Sequence, residues 1–264
     1  MSRRSRRVAV SLLLLVGLAA CGKDHTASTT TTTSTTLARA TGDLTVFAAA
    51  SLTESFTDLQ TDLRASDPAL HLRYSFGGSG TLVTQVQQGA PADVVATADD
   101  ASMQKLIDLG LVEQPTTFAR NKLEILVARG NPLHISSLAD LAKAGVKLVL
   151  GDTTVPAGKY AAQALQRAGV TVHPVSLEPD VKSAVAKVVG GEADATIVYV
   201  TDVTAAGTKG TGVVIPDAQN VVASYPIAIV ARTPHHAAAV VFVDDVVRGA
   251  GQHDLRARGF LPPP

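Results

Sequence analysis

Residues 44–50, LTVFAAA, form a short apolar run of strand type, and from residue 52 to 65 the apolar positions recur at helical spacing. A second strand is predicted over 70–76, running into Gly77-Gly78-Ser79-Gly80 and then a helix that ends near Gln88. A buried strand over 92–97 (ADVVAT) and a helix over 101–109 follow. Strand and helix alternating at this spacing predict parallel strands with crossover helices. The pattern then restarts, with a strand over 122–128, a helix over 137–144, a strand over 147–150 and a helix over 156–168. An extended stretch over 170–175, a helix over 179–189 and a strand over 195–200 complete this part, and a strand over 225–231 and a helix over 237–248 close the chain. No fixed period repeats, which excludes a solenoid. The expected fold class is α/β: two doubly wound lobes joined by a hinge, lobe 1 being 43–121 plus 224–264 and lobe 2 being 122–223. The extended stretches near Lys122 and Tyr225 are the crossings between them.

The first forty residues read differently. A basic start with Arg3, Arg4, Arg6 and Arg7 leads into the apolar stretch 8–20 and then Leu18-Ala19-Ala20-Cys21. Thirteen residues are too few to span the roughly 30 Å hydrocarbon layer as a helix, so 1–20 is expected to be a signal peptide. Cys21 is the single cysteine, directly after small residues, where a lipoprotein signal would place its acylated residue. A free thiol in a signal peptide cut slightly later is the alternative, and neither permits an internal disulfide. Residues 21–42, rich in Thr and Ser, have no apolar period and are expected to be a tether. The location implied is the cell envelope, on the extracytoplasmic face of the membrane, held by a lipid.

Charge narrows the function. The chain carries 23 Lys+Arg and 23 Asp+Glu, but four of the arginines sit in the export segment, leaving the body at about −4. A nucleic-acid binder would show a basic stripe instead. With one Cys, a cysteine zinc site is excluded too.

The starts of the helices carry the chemistry. Ser51-Leu52-Thr53-Glu54 has the form of a capping box, Ser79 stands between glycines, Pro156 occupies a first helical position, and Pro179-Asp180-Val181 opens a helix in the same way. Helix N-termini offer unpaired N–H groups and partial positive charge, and in open α/β sheets they gather where ligands bind. A small anion is the complementary ligand. Only Lys159 brings a cation close to these turns, and with it pointing outward the anion is held by neutral dipoles. Charge-assisted hydrogen bonds contribute about 1.5–3 kcal/mol each. Six or seven of them, less the cost of association, leave about 8–12 kcal/mol, micromolar to nanomolar affinity.

Simpler readings exist for each feature. Ser51 serves as an N-cap, Gly77-Gly78-Ser79-Gly80 as a tight turn, Tyr199 as a core residue, and Asp152 and Asp180 as local caps. Thr81 stands where a nucleophile elbow needs glycine, and no lysine of a phosphate-cradling loop follows. His235-His236 is expected to be a solvated loop. A secreted serine hydrolase using Ser79 and a ferric-ion receptor remain as rivals, the latter short of neighbouring tyrosines among Tyr74, Tyr160, Tyr199 and Tyr225.

The blocks VFAAASL (46–52), FGGSGTL (76–82), QGAPADVVATAD (88–99), GDTTVPAGKYAAQAL (151–165), IVYVTD (197–202) and YPIAIV (225–230), with the terminal GF (259–260), resemble the periplasmic molybdate-binding family of bacterial ABC importers. The resemblance implies a type II periplasmic binding protein-like fold with the ligand in the interlobe cleft. It implies that molybdate or tungstate is held by Ser51, Ser79, the amides of Ala157 and Val181, and the hydroxyl of Tyr199, with no direct bond from protein to metal. It implies no catalysis and no cofactor, a monomer, and an ABC permease as partner. A receptor for another tetrahedral oxyanion such as sulfate or phosphate is the alternative. The lipobox and the Thr-rich tether depart from the family's soluble members.

Overall fold

The computed structural model describes residues 41–264. The export segment, Cys21 and nearly all of the tether lie outside these residues. The first strand, β1 (Gly42–Ala49), starts at the last residue of the expected tether and passes through a 3₁₀ turn (Ala50–Leu52) into α1 (Thr53–Ser66). Then come β2 (Leu70–Gly77), α2 (Ser79–Gln87), β3 (Val94–Ala96), α3 (Asp100–Asp108) and a thirteen-residue strand, β4 (Thr116–Ala128). After a second 3₁₀ turn (Leu138–Ala142) follow β5 (Leu148–Gly151), α4 (Pro156–Ala168), β6 (Ser176–Glu178), α5 (Val181–Val189), β7 (Ala195–Tyr199) and α6 (Val200–Ala206). The chain ends through β8 (Gly210–Val214), β9 (Val222–Ile229), α7 (His236–Arg248) and α8 (Gly251–Ala257).

The sheet runs in the order β2-β1-β3-β9-β4-β7-β5-β6, with β8 on β4. Strands β2, β1 and β3 are mutually parallel, as are β7, β5 and β6. Parallel strands are covered on both faces, which is why Val46 to Ala49 and Ala195 to Tyr199 are buried without interruption. Antiparallel β9 and β4 join the two parallel sets. β4 pairs with β9 from Thr116 to Lys122, then with β7 from Leu123 to Val127. Buried asparagines pin that change of partner: Asn220 accepts from the Leu123 amide at 3.0 Å and donates to the Leu123 carbonyl at 2.8 Å, and Asn121 donates to Thr201 Oγ1 at 2.9 Å. The result is a two-lobed α/β fold with parallel strands in each lobe.

Aromatic packing holds the first lobe's helices to its sheet. Phe56 meets Phe242 edge-on at 6.0 Å, and Tyr225 meets Phe260 edge-on at 5.2 Å. Behind Phe260 the chain end pairs with β4, Leu261 and Arg120 exchanging backbone hydrogen bonds.

Several local expectations are corrected. The helix predicted over 137–144 is only the 3₁₀ turn, because the Asp140 carboxylate is taken by the Ser136 amide and by the Ser136 and Ser137 hydroxyls, and Gly145 turns the chain at φ 88°. Extended backbone over 170–175 leads to a strand only at Ser176–Glu178. Strand β8 and helices α6 and α8 are absent from the sequence pattern.

Candidate functional site

The carboxyl ends of β1, β2, β5 and β7 point their outgoing turns at one small cavity. It is lined by Ala49, Ala50, Ser51, Gly77, Gly78, Ser79 and Ala98 on one side and by Val155, Pro156, Ala157, Asp180, Val181 and Tyr199 on the other. The centre of a water-sized sphere can move through about 20 Å³ of it, room for little more than one such sphere. That scale fits a small inorganic ion and excludes an organic metabolite. All five residues singled out from the sequence, Ser51, Ser79, Ala157, Val181 and Tyr199, line this one space.

Each turn is built to leave donors. No side chain caps α2 or α4, so their first amides have no partner within the helix. Pro156 at the first position of α4 fixes the entry angle without wasting a donor. Gly158 lets α4 sit directly on β5: a Cβ there would lie 2.1 Å from the Gly151 carbonyl oxygen. The start of α5 falls at Val181, two residues later than the Pro179 pattern suggests, with Asp180 as N-cap accepting from the Ser183 amide at 2.8 Å. Asp152 likewise stays local, accepting from the amide and hydroxyl of Thr154, and these bonds hold its pKa below the usual aspartate value.

The two serine hydroxyls are oriented by their neighbours. Ser79 Oγ accepts from the Ala98 amide at 3.0 Å, leaving its own proton to donate. Ser51 does not form the expected capping box. The α1 N-cap is Leu52 without a side-chain bond, and Ser51 Oγ instead lies 2.9 Å from the Tyr225 hydroxyl, while Glu54 turns to Lys182 Nζ at 2.6 Å. When Tyr225 donates, Ser51 too has its proton free for the cavity. The Tyr199 hydroxyl is buried and makes no well-formed hydrogen bond among the described residues, although it lies beside the Tyr225 hydroxyl. Burial raises the pKa values of Tyr199 and Tyr225 well above the phenol norm, so both are neutral donors at physiological pH.

Cations stand back from the cavity. Lys159 Nζ is directed to Asp99 Oδ2 at 3.4 Å, and Lys182, which the sequence reading passed over, bridges Glu54 Oε2 at 2.6 Å and Asp202 Oδ1 at 3.0 Å. No histidine lines the space beside Ser79, so the serine lacks the base a nucleophile requires. His235 and His236 lie elsewhere. They are paired rather than merely solvated, Nδ1 of His235 with Asp93 at 3.0 Å and Nε2 of His236 with Glu113 at 2.8 Å. Among the described residues no cluster of His, Cys, Asp or Glu could hold a metal ion, and no helix is long and apolar enough to cross a membrane.

Two α/β lobes enclosing a small cavity of donors are the architecture of a solute-binding protein. The chain belongs to the bacterial extracellular solute-binding protein family, whose model matches residues 44–261. Over 255 residues it is 39% identical to the molybdate-binding protein ModA of Mycobacterium tuberculosis, covering 96% of both chains, and it is 35% identical over 234 residues to ModA of Escherichia coli, covering 83% of this chain and 89% of the relative. The periplasmic molybdate-binding protein of Azotobacter vinelandii shares the fold at a TM-score of 0.76 and 22% identity, covering 84% of this chain and all of that one.

Proposed function

We propose that this protein captures molybdate, and also tungstate, on the outer face of the cell membrane and delivers it to an ABC permease. Cys21 carries the lipid anchor, 21–42 is the tether, and the protein acts as a monomer. The lobes, 43–121 with 224–264 and 122–223, close by rotation about the β4 and β9 crossings, and the ligand is held by Ser51, Ser79, Ala157, Val181 and Tyr199 without cofactor or protein–metal bond. The observation that carries this reading is the cavity's set of donors: the Ser79 hydroxyl, whose oxygen already accepts, the Ser51 hydroxyl beside Tyr225, uncapped helix starts, and the buried Tyr199 phenol. An acceptor-only dianion satisfies all of them at once.

Closure follows from this arrangement. Neither half of the cavity presents a full set of donors, so the liganded state gains contacts that exist only when the lobes are shut. Sulfate is smaller and is poorly reached by donors spaced for a larger ion, and phosphate near neutral pH carries a proton that asks for an acceptor, while the lining's one carboxylate, Asp180, is engaged by the Ser183 amide as the α5 N-cap. Calorimetric titration with molybdate, tungstate, sulfate and phosphate tests the assignment. Tight binding of the first two is expected, and tight sulfate binding without a molybdate response rejects it.

A further inference from the structure

Three of the turns that line the cavity are tied together through one lysine. Glu54 follows the Ser51 turn by three residues, Lys182 follows Val181 by one, and Asp202 follows Tyr199 by three. Lys182 Nζ sits between the two carboxylates, 2.6 Å from Glu54 Oε2 and 3.0 Å from Asp202 Oδ1, and Asp202 Oδ2 accepts from the Tyr199 amide at 3.2 Å. We propose that Lys182 is a positioning residue and that its pair with Glu54 is a latch formed on closure, locking Ser51, Val181 and Tyr199 into one donor geometry. The proposal rests on the oxyanion-receptor reading above.

The two bonds of Lys182 differ in kind. Asp202 is wholly buried, and it joins α6 to α5 next to β7 in the same lobe. Glu54 lies on α1, across the cleft, with about a third of its side chain exposed. Removing the lysine therefore leaves a buried carboxylate unpaired, which is costly in any state, whereas removing the Glu54 charge deletes only the cross-cleft bond. Lys182 does not line the cavity, and with two carboxylates around it, it is not the anion's countercharge.

Glu54→Gln separates these roles. In purified protein it is expected to weaken molybdate binding about two- to fivefold, the scale of one partly exposed ion pair, mainly through faster dissociation, and to leave the ligand-free melting temperature unchanged. Lys182→Met should weaken binding similarly and also lower the melting temperature, and Lys182→Arg should restore most of both. Affinity within twofold of wild type in Glu54→Gln, or a loss of affinity matched by a loss of thermal stability, overturns the latch while leaving the receptor reading intact. If the wild type binds none of the four oxyanions, the receptor reading fails instead. The latch, which rests on that reading, falls with it.

Discussion

Ser51 Oγ and the Tyr225 hydroxyl stand 2.9 Å apart, both buried, although 174 residues separate them in the chain. The contact places the outgoing turn of β1 against the returning strand β9, and with Tyr225 as its donor it turns the serine proton toward the cavity. Tyr225→Phe keeps the ring against Tyr199 and Phe260 but removes the donor that orients Ser51. The expected outcome is a molybdate dissociation constant raised about three- to tenfold, a net hydrogen bond's worth of roughly 0.5–1.5 kcal/mol. Calorimetry on the variant checks it, and an unchanged constant would mean Ser51 orients itself.

Tyr199 behaves oppositely. Its hydroxyl is buried beside Tyr225 without a well-formed hydrogen bond, so the folded protein without ligand gains little from it. Tyr199→Phe is expected to weaken binding by about 1.5–3 kcal/mol, ten- to a hundredfold, while the ligand-free melting temperature stays the same or rises. A residue kept only for packing gives the reverse pattern, affinity intact and no gain in stability. Calorimetry and thermal unfolding of one sample tell the two apart.

Asp140 supplies a pH-dependent case away from the cavity. Lys143 at 2.7 Å, and then the Ser136 amide and the Ser136 and Ser137 hydroxyls, hold its carboxyl well below the usual aspartate range. A carboxylate with a depressed pKa stabilises the fold above its ordinary value and stops doing so as the pH falls through the lowered one. Asp140→Asn should therefore melt below the wild type at pH 7, with the gap narrowing as the pH drops below 3.8, the ordinary aspartate value. Melting curves across pH 7 to 2 measure it, and a gap independent of pH would assign the effect to shape rather than charge.

Much of this molecule was legible in its sequence because the parallel strands are short, apolar and punctuated by turn residues. The run 195–200 reads as one strand, however, and its last residue opens α6. Val200 and Thr201 are β-branched, and no local signal marks the break at Tyr199. β8 escaped because GTGVV lies at an edge with little burial and no alternation. At the site, the family resemblance points to Ser51, Ser79, Ala157, Val181 and Tyr199, which line one cavity, whereas the local pattern reads Ser51 and Glu54 as a capping box that the fold does not form. Their actual partners, Tyr225 and Lys182, are 174 and 128 residues away, and a pair at that distance leaves no trace in a local pattern. Lys182 was invisible for the same reason, since a lysine in the first turn of a helix reads as a solvated residue.

Gly78 allows the lobes to meet. It is the N-cap of α2 at φ −62° and ψ 136°, a conformation open to any L-residue, so alanine there does not strain its own lobe. Across the cleft the space is different: a Cβ would lie 2.6 Å from the Pro179 carbonyl oxygen and 3.2 Å from Val155 Cγ1, and the nearer obstacle is backbone that cannot swing away. Gly78→Ala should leave the ligand-free melting temperature near the wild-type value while holding the lobes apart. Overpacking of this kind costs about 1–3 kcal/mol, which here falls on the closed state alone and so weakens molybdate binding about five- to a hundredfold. Scattering in saturating molybdate should show a larger radius of gyration than the wild type. Undiminished affinity would require the α5 turn to retreat from Gly78 without disturbing Val181, and so would separate closure from the donor set.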